Sequence, residues 1–530
     1  MLVDNELDED FEIVIGLVAP IGTNVDKLVD ILCAQLETVS YASECMRLSS
    51  LLDESPMGKN LPATNSDPEY YDRRMTAGDQ LREFLDTGDA LAAYAISKMR
   101  SQRLIERDSS DQNARKAWIL RTIKHPEEVR LLRRTYGKRF ILLSATESEN
   151  SRRSNIKASL RDADPTSAQL DGRVTGLMLR DELDSTTPFG QHVRDAYAMA
   201  DFFVDLDREG GAKDEIERIV GLLFGSPFIT PRRDEHSMFL AFAASLRSAD
   251  PGRQVGAVIT RSNGDIIAIG SNEVPRPGGG EYWDGDRKDN RDFRVGTDFN
   301  RREVRRAIQE LLVTLQSEGH LAERFAGIDG PDLTRQILEE SSESIDDTRI
   351  RNLIEFGRIM HAEMSAITQA ARSGASIEDA TLYTTAFPCH MCMRLIIGAG
   401  IKRVVYVDPY PKSLAGEMYA TEISMESRCV DGRVAVEPYF GSSWNVYNTV
   451  FRSINRKRDP VTSRFVAWAS KTSRMRLAAP DALAGADALE AVVPLALRQR
   501  LSRGPASSAD VSGSMDDVGT DTTDGGEVEQ

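Results

Sequence analysis

Cysteine is scarce in this chain. Cys33, Cys45, Cys389, Cys392 and Cys429 are the whole supply in 530 residues. That is too few for a disulfide framework at this length and points to a reducing, cytoplasmic setting. Long apolar runs are missing too, so no membrane-spanning helix is expected. The N-terminus lacks a basic, apolar leader. Residues 1–10 are instead acidic, through Asp4, Glu6, Asp8, Glu9 and Asp10, and no secretory signal is expected. A cationic surplus is the third absence. The formal net charge is -17 and the pI is near 5.0. This excludes broad electrostatic binding of nucleic acid polymers and suits a small ligand in a local pocket. The length excludes a single core, so two or three domains are expected.

What is present is concentrated near residue 361. His361-Ala362-Glu363 is followed by Pro388-Cys389-His390-Met391-Cys392. One histidine, two cysteines and a nearby acid are the parts of a catalytic zinc site. Such sites take three protein ligands and leave a fourth position for water. His361, Cys389 and Cys392 are the candidate ligands, for one catalytic ion per subunit. Glu363 is the candidate proton shuttle. Helical spacing through Met360, Met364, Ile367 and Ala371 puts His361 and Glu363 in a first turn. Residues 380–386 read as a strand that Pro388 stops, and residues 389–399 as a second helix. Both cysteines then lie at a helix N-terminus, where the dipole favours thiolate. The H-x-E and P-C-x-x-C pair resembles the signature of zinc nucleobase deaminases. The resemblance implies attack at C4 of a cytosine ring, loss of ammonia and a uracil product. A redox pair or a closed structural metal site is the alternative.

Residues 11–230 form a first zone. A strand at 12–18 leads through Ala19-Pro20-Ile21-Gly22-Thr23-Asn24 into a helix through Leu28, Ile31, Leu32 and Leu36. Strand, glycine turn and helix is the layout of a phosphate-binding loop. Further strands are expected at 117–123, 140–145 and 202–206, with helices at 125–136 and 190–199. The alternation predicts a parallel α/β sheet. The zone resembles the P-loop nucleotide-kinase fold, with Gly22, Thr23 and Asn24 in a degenerate loop. On that pattern Val25 stands at the lysine and Asp26 at the serine or threonine. The main charge on the phosphates and a magnesium ligand are both missing. A working kinase is therefore not expected. Binding of a nucleotide effector, or a structural role in oligomer contacts, is the expectation, with an ordinary strand-to-helix turn as the alternative.

Residues 231–460 form a second zone around the metal motif. Residues 238–247 read as a leading helix. Strands at 254–260 and 265–271 flank an Asn263-Gly264 turn, a hairpin signal. Strands at 380–386, 402–407 and 434–437 complete a sheet of about five, with helices on both faces. Arg247-Ser248-Ala249-Asp250-Pro251, Gln254 to Val258 and Gly270-Ser271-Asn272-Glu273-Val274-Pro275 resemble deoxycytidylate deaminases. The resemblance implies that Asn272 binds the deoxyribose, with Glu273 where the family places a glycine. Asp408-Pro409-Tyr410-Pro411-Lys412-Ser413 resembles the segment after the family's fourth strand. It implies that Tyr410 lies near the nucleotide and that Lys412 meets phosphate.

The fold expected is α/β throughout: a P-loop-like parallel domain, then a three-layer α/β/α cytidine-deaminase domain. Residues 281–351 are an insertion, helical in part through Val304, Ile308, Leu311, Leu312 and Leu315. Residues 461–502 are a C-terminal extension with a short helix that Pro494 ends or kinks. Residues 503–530 are disordered by composition. The whole order, over roughly residues 11–455, resembles bacterial anti-phage deoxycytidylate deaminases. That likeness implies deamination of dCTP or dCMP, depletion of the dCTP pool and a homo-oligomer. A base deaminase acting on RNA or single-stranded DNA is one alternative. A nucleotide-sensing scaffold with a vestigial site is another.

Overall fold

The computed structural model describes residues 11–503, apart from 65, 66, 68, 108–114, 161–166, 183–188, 208–210, 341–347, 349, 351, 352, 354, 409–412, 426–431, 453–456, 460 and 477–480. Cys429, Tyr410, Lys412 and the tail expected to be disordered lie outside the described residues. The first zone runs β1 (Ile13–Val18), α1 (Val25–Glu37), β2 (Ala42–Arg47), α2 (Tyr70–Leu85), α3 (Ala90–Arg107), β3 (Lys116–Ile123), α4 (Pro126–Tyr136), β4 (Phe140–Thr146), α5 (Glu149–Leu160), α6 (Ser167–Glu182), α7 (Val193–Ala198), β5 (Phe202–Asp205) and α8 (Gly211–Leu223). The second begins with α9 (Arg233–Ser245), β6 (Gly256–Thr260) and β7 (Ile266–Ser271). The insertion carries α10 (Asp292–Val295), α11 (Phe299–Ser317) and α12 (Gly330–Glu340). Then come α13 (Ala362–Ser373), β8 (Thr381–Ala386), α14 (His390–Gly398), β9 (Arg403–Asp408), α15 (Ala415–Met418), β10 (Ile423–Ser424), β11 (Val434–Pro438), β12 (Gly441–Ser442), α16 (Trp444–Phe451) and α17 (Asp481–Arg503).

Two six-stranded sheets organise these elements, in the orders β12-β5-β4-β1-β3-β2 and β10-β11-β9-β8-β6-β7. Strands β1 to β5 are mutually parallel. A central parallel strand is covered on both faces and so reads as an unbroken apolar run. All six residues of β1 are buried accordingly. In the second sheet β6 is antiparallel to β7 and β8, while β8, β9, β11 and β10 run parallel.

Side-chain alternation sets the layers of the second sheet. Val258, Tyr383 and Val405 point to one face and join a cluster with Met238 and Ala241 of α9. Ala257, Ile259, Leu382 and Val404 point to the other, against Ala362 and Ala366 of α13 and Met393 and Ile396 of α14. The sheet therefore lies between helices. The first cluster also holds Val14, Leu120 and Leu142 of the first sheet, so the two zones share one core.

Three differences from the sequence expectations have physical causes. Gly441 and Ser442 pair antiparallel with Phe203 and Phe202, and Val446 and Val450 of α16 enter the core of the first sheet. This stretch, expected in the second domain, packs on the first, where Val446 and Val450 bury apolar surface. The insertion helix α11 buries Val304 and Ile308, while Leu311 is half exposed, so its apolar face is narrower than its spacing implied. Helix α17 continues through Pro494. Its Glu490 is buried, accepts a hydrogen bond from Tyr136 Oη at 2.6 Å and pairs with Arg103. Leu497 beyond the proline stays in the core, and this packing offsets the lost backbone bond. Among the described residues no helix is long and apolar enough to cross a membrane.

Candidate zinc centre

Gly270 lets the helix carrying the motif sit directly on the sheet. A Cβ there would stand 2.2 Å from the Ala362 carbonyl oxygen and 2.5 Å from the Ala366 nitrogen. Both neighbours are backbone of α13, so nothing can yield without moving the helix. Gly270→Ala is expected to cost about 1–3 kcal/mol by overpacking. The melting temperature should drop and zinc affinity should fall with it, since the displaced helix begins at His361. A thermal melt with a metal titration checks both.

His361 is the N-cap of α13 and Cys389 the N-cap of α14. The two helix starts face each other, which brings distant positions of the chain together. His361 Nδ1 lies 3.3 Å from Cys389 Sγ and 3.3 Å from Cys392 Sγ. The three donor atoms all lie within 4.8 Å of one another. Glu363, in the first turn of α13, places Oε2 3.5 Å from Cys392 Sγ. Cys389, Cys392 and Glu363 are buried.

The electrostatics follow from this crowding. A hydrogen bond from Cys392, and then the contact with His361, lowers the Cys389 thiol to about 4. The same Cys389–Cys392 bond, with burial and the Glu363 charge, raises Cys392 well above the usual thiol range. Cys389 in turn pushes His361 up to about 9. Burial raises Glu363, against the pull of His361.

One imidazole and two thiols form a soft donor set of the kind zinc prefers. Zn–N and Zn–S bonds of about 2.1 and 2.3 Å at a tetrahedral angle hold N and S about 3.6 Å apart. The observed 3.3 Å is close to that, so the residues fit the ion. His390, between the cysteines, stands outside the cluster, with Nε2 3.7 Å from a Glu355 carboxylate oxygen.

A second ring of residues surrounds the cluster. Glu273 and Met360 exchange both backbone hydrogen bonds, at 3.2 and 3.1 Å, which anchors the residue before His361. The buried Glu273 carboxylate accepts from the Ala249 nitrogen at 3.0 Å and the Val274 nitrogen at 2.9 Å. A carboxylate thus holds the loop here. Ser365, one turn after His361, donates to Glu281, which also accepts from Arg247 at 3.3 Å. The Arg247 guanidinium lies 3.6 Å above the Trp283 ring, tying the insertion to the base of the site. Arg247 and Glu273 stood in the segments quoted from the sequence but without these roles, and Ser365 and Glu281 had only the one-turn spacing of Ser365 from His361.

Asn272 is buried at the end of β7. Its Oδ1 accepts from the Val255 nitrogen at 2.6 Å and its Nδ2 donates to the Arg253 carbonyl at 2.7 Å. It fixes the loop before β6 and keeps one N–H for another partner. Gly22, Thr23 and Asn24 belong to the first zone and line a separate cavity. Asn24 Oδ1 caps α1 through the Lys27 nitrogen at 3.1 Å.

His361, Cys389 and Cys392 could hold a metal ion beside the buried Glu363 carboxyl group. Residues 231–408 match the family model described as "Cytidine and deoxycytidylate deaminase zinc-binding region". Parts of the chain are also similar to curated deoxycytidylate deaminases. The deoxycytidylate deaminase of Enterobacteria phage T4 is 49% identical over 57 residues, 11% of this chain and 30% of that protein. The chain thus spans about a third of the length of the phage relatives it matches. The deoxycytidylate deaminase of Homo sapiens is 26% identical over 180 residues, covering 34% of this chain and 67% of that one. Among solved structures, a dCMP deaminase of cyanophage S-TIM5 in complex with dCMP and dUMP is similar at 19% identity, with a TM-score of 0.22, over 40% of this chain and 100% of that one.

Proposed function

We propose that this protein deaminates free deoxycytidine nucleotides, dCMP or dCTP, by hydrolysis to the deoxyuridine nucleotides. The observation that carries the reading is the convergence of His361 Nδ1, Cys389 Sγ and Cys392 Sγ beside the buried Glu363. Zinc, when bound, supplies the Lewis acidity that makes water nucleophilic at neutral pH. His361, Cys389 and Cys392 would hold it. Glu363 takes a proton from the attacking water, delivers it to N3 of the ring, and then moves a proton to the departing amine. The balance is one water consumed and one ammonia released. In this reading the remaining N–H of Asn272 meets the deoxyribose, Tyr410 lies near the nucleotide and Lys412 meets phosphate. The net charge of -17 supports a free nucleotide over a polymer.

The reading extends to the first zone, residues 11–230, as a degenerate P-loop nucleotide-kinase-like domain that controls or assembles a homo-oligomer rather than transferring phosphate. The strand, turn and capped helix at residues 13–37 support the phosphate-loop layout of that domain. Depletion of the dCTP pool during phage infection is the cellular consequence proposed. The zinc-loaded chain should be assayed for ammonia release on dCMP, dCTP, CMP, CTP and single-stranded oligonucleotides. At least one deoxynucleotide is expected to turn over tenfold or more faster than its ribose counterpart and any oligonucleotide. Faster release from RNA or single-stranded DNA would replace this reading with that of a polymer base deaminase.

A further inference from the structure

Between α16 and α17 the chain forms an arm that belongs to neither sheet. The arm is anchored to the end of α8. Trp468 Nε1 donates to the Phe224 carbonyl at 3.3 Å, and the Arg476 nitrogen donates to the Leu223 carbonyl at 2.8 Å. Met475 is buried in the core of the first sheet. The tip of the arm is a hairpin. Its Asp459 nitrogen donates to the Arg464 carbonyl at 2.9 Å, and its Val466 nitrogen to the Lys457 carbonyl at 3.1 Å. The Asp459 carboxylate accepts from the Val461 and Thr462 nitrogens at 2.9 and 2.6 Å, which fixes the bend. This ordered tip presents apolar side chains to solvent. Val461 is 89% exposed and Phe465 77%. Phe465 meets Phe228 edge-on at 5.5 Å, and Phe228 and Val466 are themselves about half exposed. Together the four show on the order of 500 Å² of apolar surface, toward the upper end for the largest patch of a monomer. Arg458 and Arg464 flank the patch and are exposed.

Charge selects what covers it. Residues 452–476 carry eight Arg and Lys and a single acid, Asp459. The net charge of -17 includes this +7, so the rest of the chain carries -24. A second copy therefore supplies the complementary charge. One place on the chain joins that charge to apolar surface. Strand β10 is the outer strand of the second sheet and pairs with β11 alone, so its other edge is open. Met418 and Met425, on either side of it in the chain, are each about half exposed. Glu417 and Glu422 beside them are exposed too. Methionine adapts its shape to an incoming side chain. Docking the hairpin tip on this edge buries about 1,000 Å² over the two partners, the lower bound for a specific interface. The two patches differ, so the contact is heterologous: each copy gives its arm to one neighbour and receives an arm from another.

We infer that the arm docks on a second copy of this chain, with Val461 and Phe465 against Met418 and Met425, and Arg458 and Arg464 against Glu417 and Glu422. The proposal rests on the homo-oligomer of the proposed function and names its contact. Association and ammonia release are read separately, so failure of one is distinguishable from failure of the other. The test is sedimentation velocity of the zinc-loaded full chain at low and high salt. The chain is expected to associate at low salt and to do so at least tenfold more weakly at high salt, since exposed charges are screened. Arg458→Glu with Arg464→Glu, and Glu417→Arg with Glu422→Arg, are each expected to weaken association at least tenfold. All four residues are exposed, so the melting temperature of both variants should stay that of the wild type. An equimolar mixture of the two variants, or one chain carrying all four substitutions, is expected to restore association. Phe465→Ser should weaken it with no change of charge. The proposal is overturned if the wild type sediments as a monomer at low salt, if either double variant associates like the wild type, or if exchanging the charges restores nothing. It is also overturned if the chain remains monomeric and binds phosphatidylglycerol vesicles through Phe465, which would assign the arm to a lipid surface.

Discussion

Glu363→Ala is expected to retain one zinc per chain and to lose ammonia release from dCMP or dCTP by about 10²–10⁴-fold, the usual range for a positioned acid–base group. The geometry separates the two effects. Glu363 is not among the three clustered ligands, and its carboxylate lies beside Cys392 at the buried wall of the site. Truncating it leaves the donor set intact but removes the group that can carry a proton between water, ring and amine. Burial raises its pKa, which favours the protonated form of the carboxyl group. Glu363→Gln keeps the shape without the titratable oxygen and should be nearly as inactive. Zinc measured by emission spectroscopy and ammonia measured by a coupled assay give the two readouts. A variant that keeps both metal and turnover would remove Glu363 from the mechanism.

How much of this was legible in the chain depends on how local each feature is. The metal motif was legible because each ligand sits at a helix start, where capping, spacing and the proline stop are local signals. Strands β1, β3 and β4 were legible because burial on both faces demands continuous apolar runs. Strand β2 escaped notice because it is an edge strand in which only Met46 is buried, and its sequence, Ala-Ser-Glu-Cys-Met-Arg, carries no apolar run. The exchange of β12 onto β5 joins residues far apart in the chain, and a two-residue strand has no periodicity to read. Asp181 is the sharpest case. It occupies the turn at Ile21 from 160 positions away, and nothing in the residues around it announces that role. Val25 and Asp26 were visible as departures from the phosphate-loop pattern that the first zone resembles. The Asp181–Lys124 pair beside the turn was not.

Loss of a metal ligand is the second large effect. Cys392→Ala is expected to abolish stoichiometric zinc binding and to bring deamination down to background, where Glu363→Ala would abolish turnover alone. Cys392 is fully buried among Met393, Ile396 and the strands beneath α14, and Cys389 and His361 alone cannot complete a three-ligand site. The apo chain should also be less stable. Two helix starts that meet through His361, Cys389 and Cys392 lose a shared ligand, and any ion that binds only the folded state stabilises it by mass action. A melt with and without a chelator should therefore shift the wild-type transition downward and leave that of Cys392→Ala where it was. Readdition of zinc should restore both the transition and the activity of the wild type. If chelation strips the metal and turnover persists, the water at this site is activated by something other than zinc, and the proposed chemistry fails at its first step.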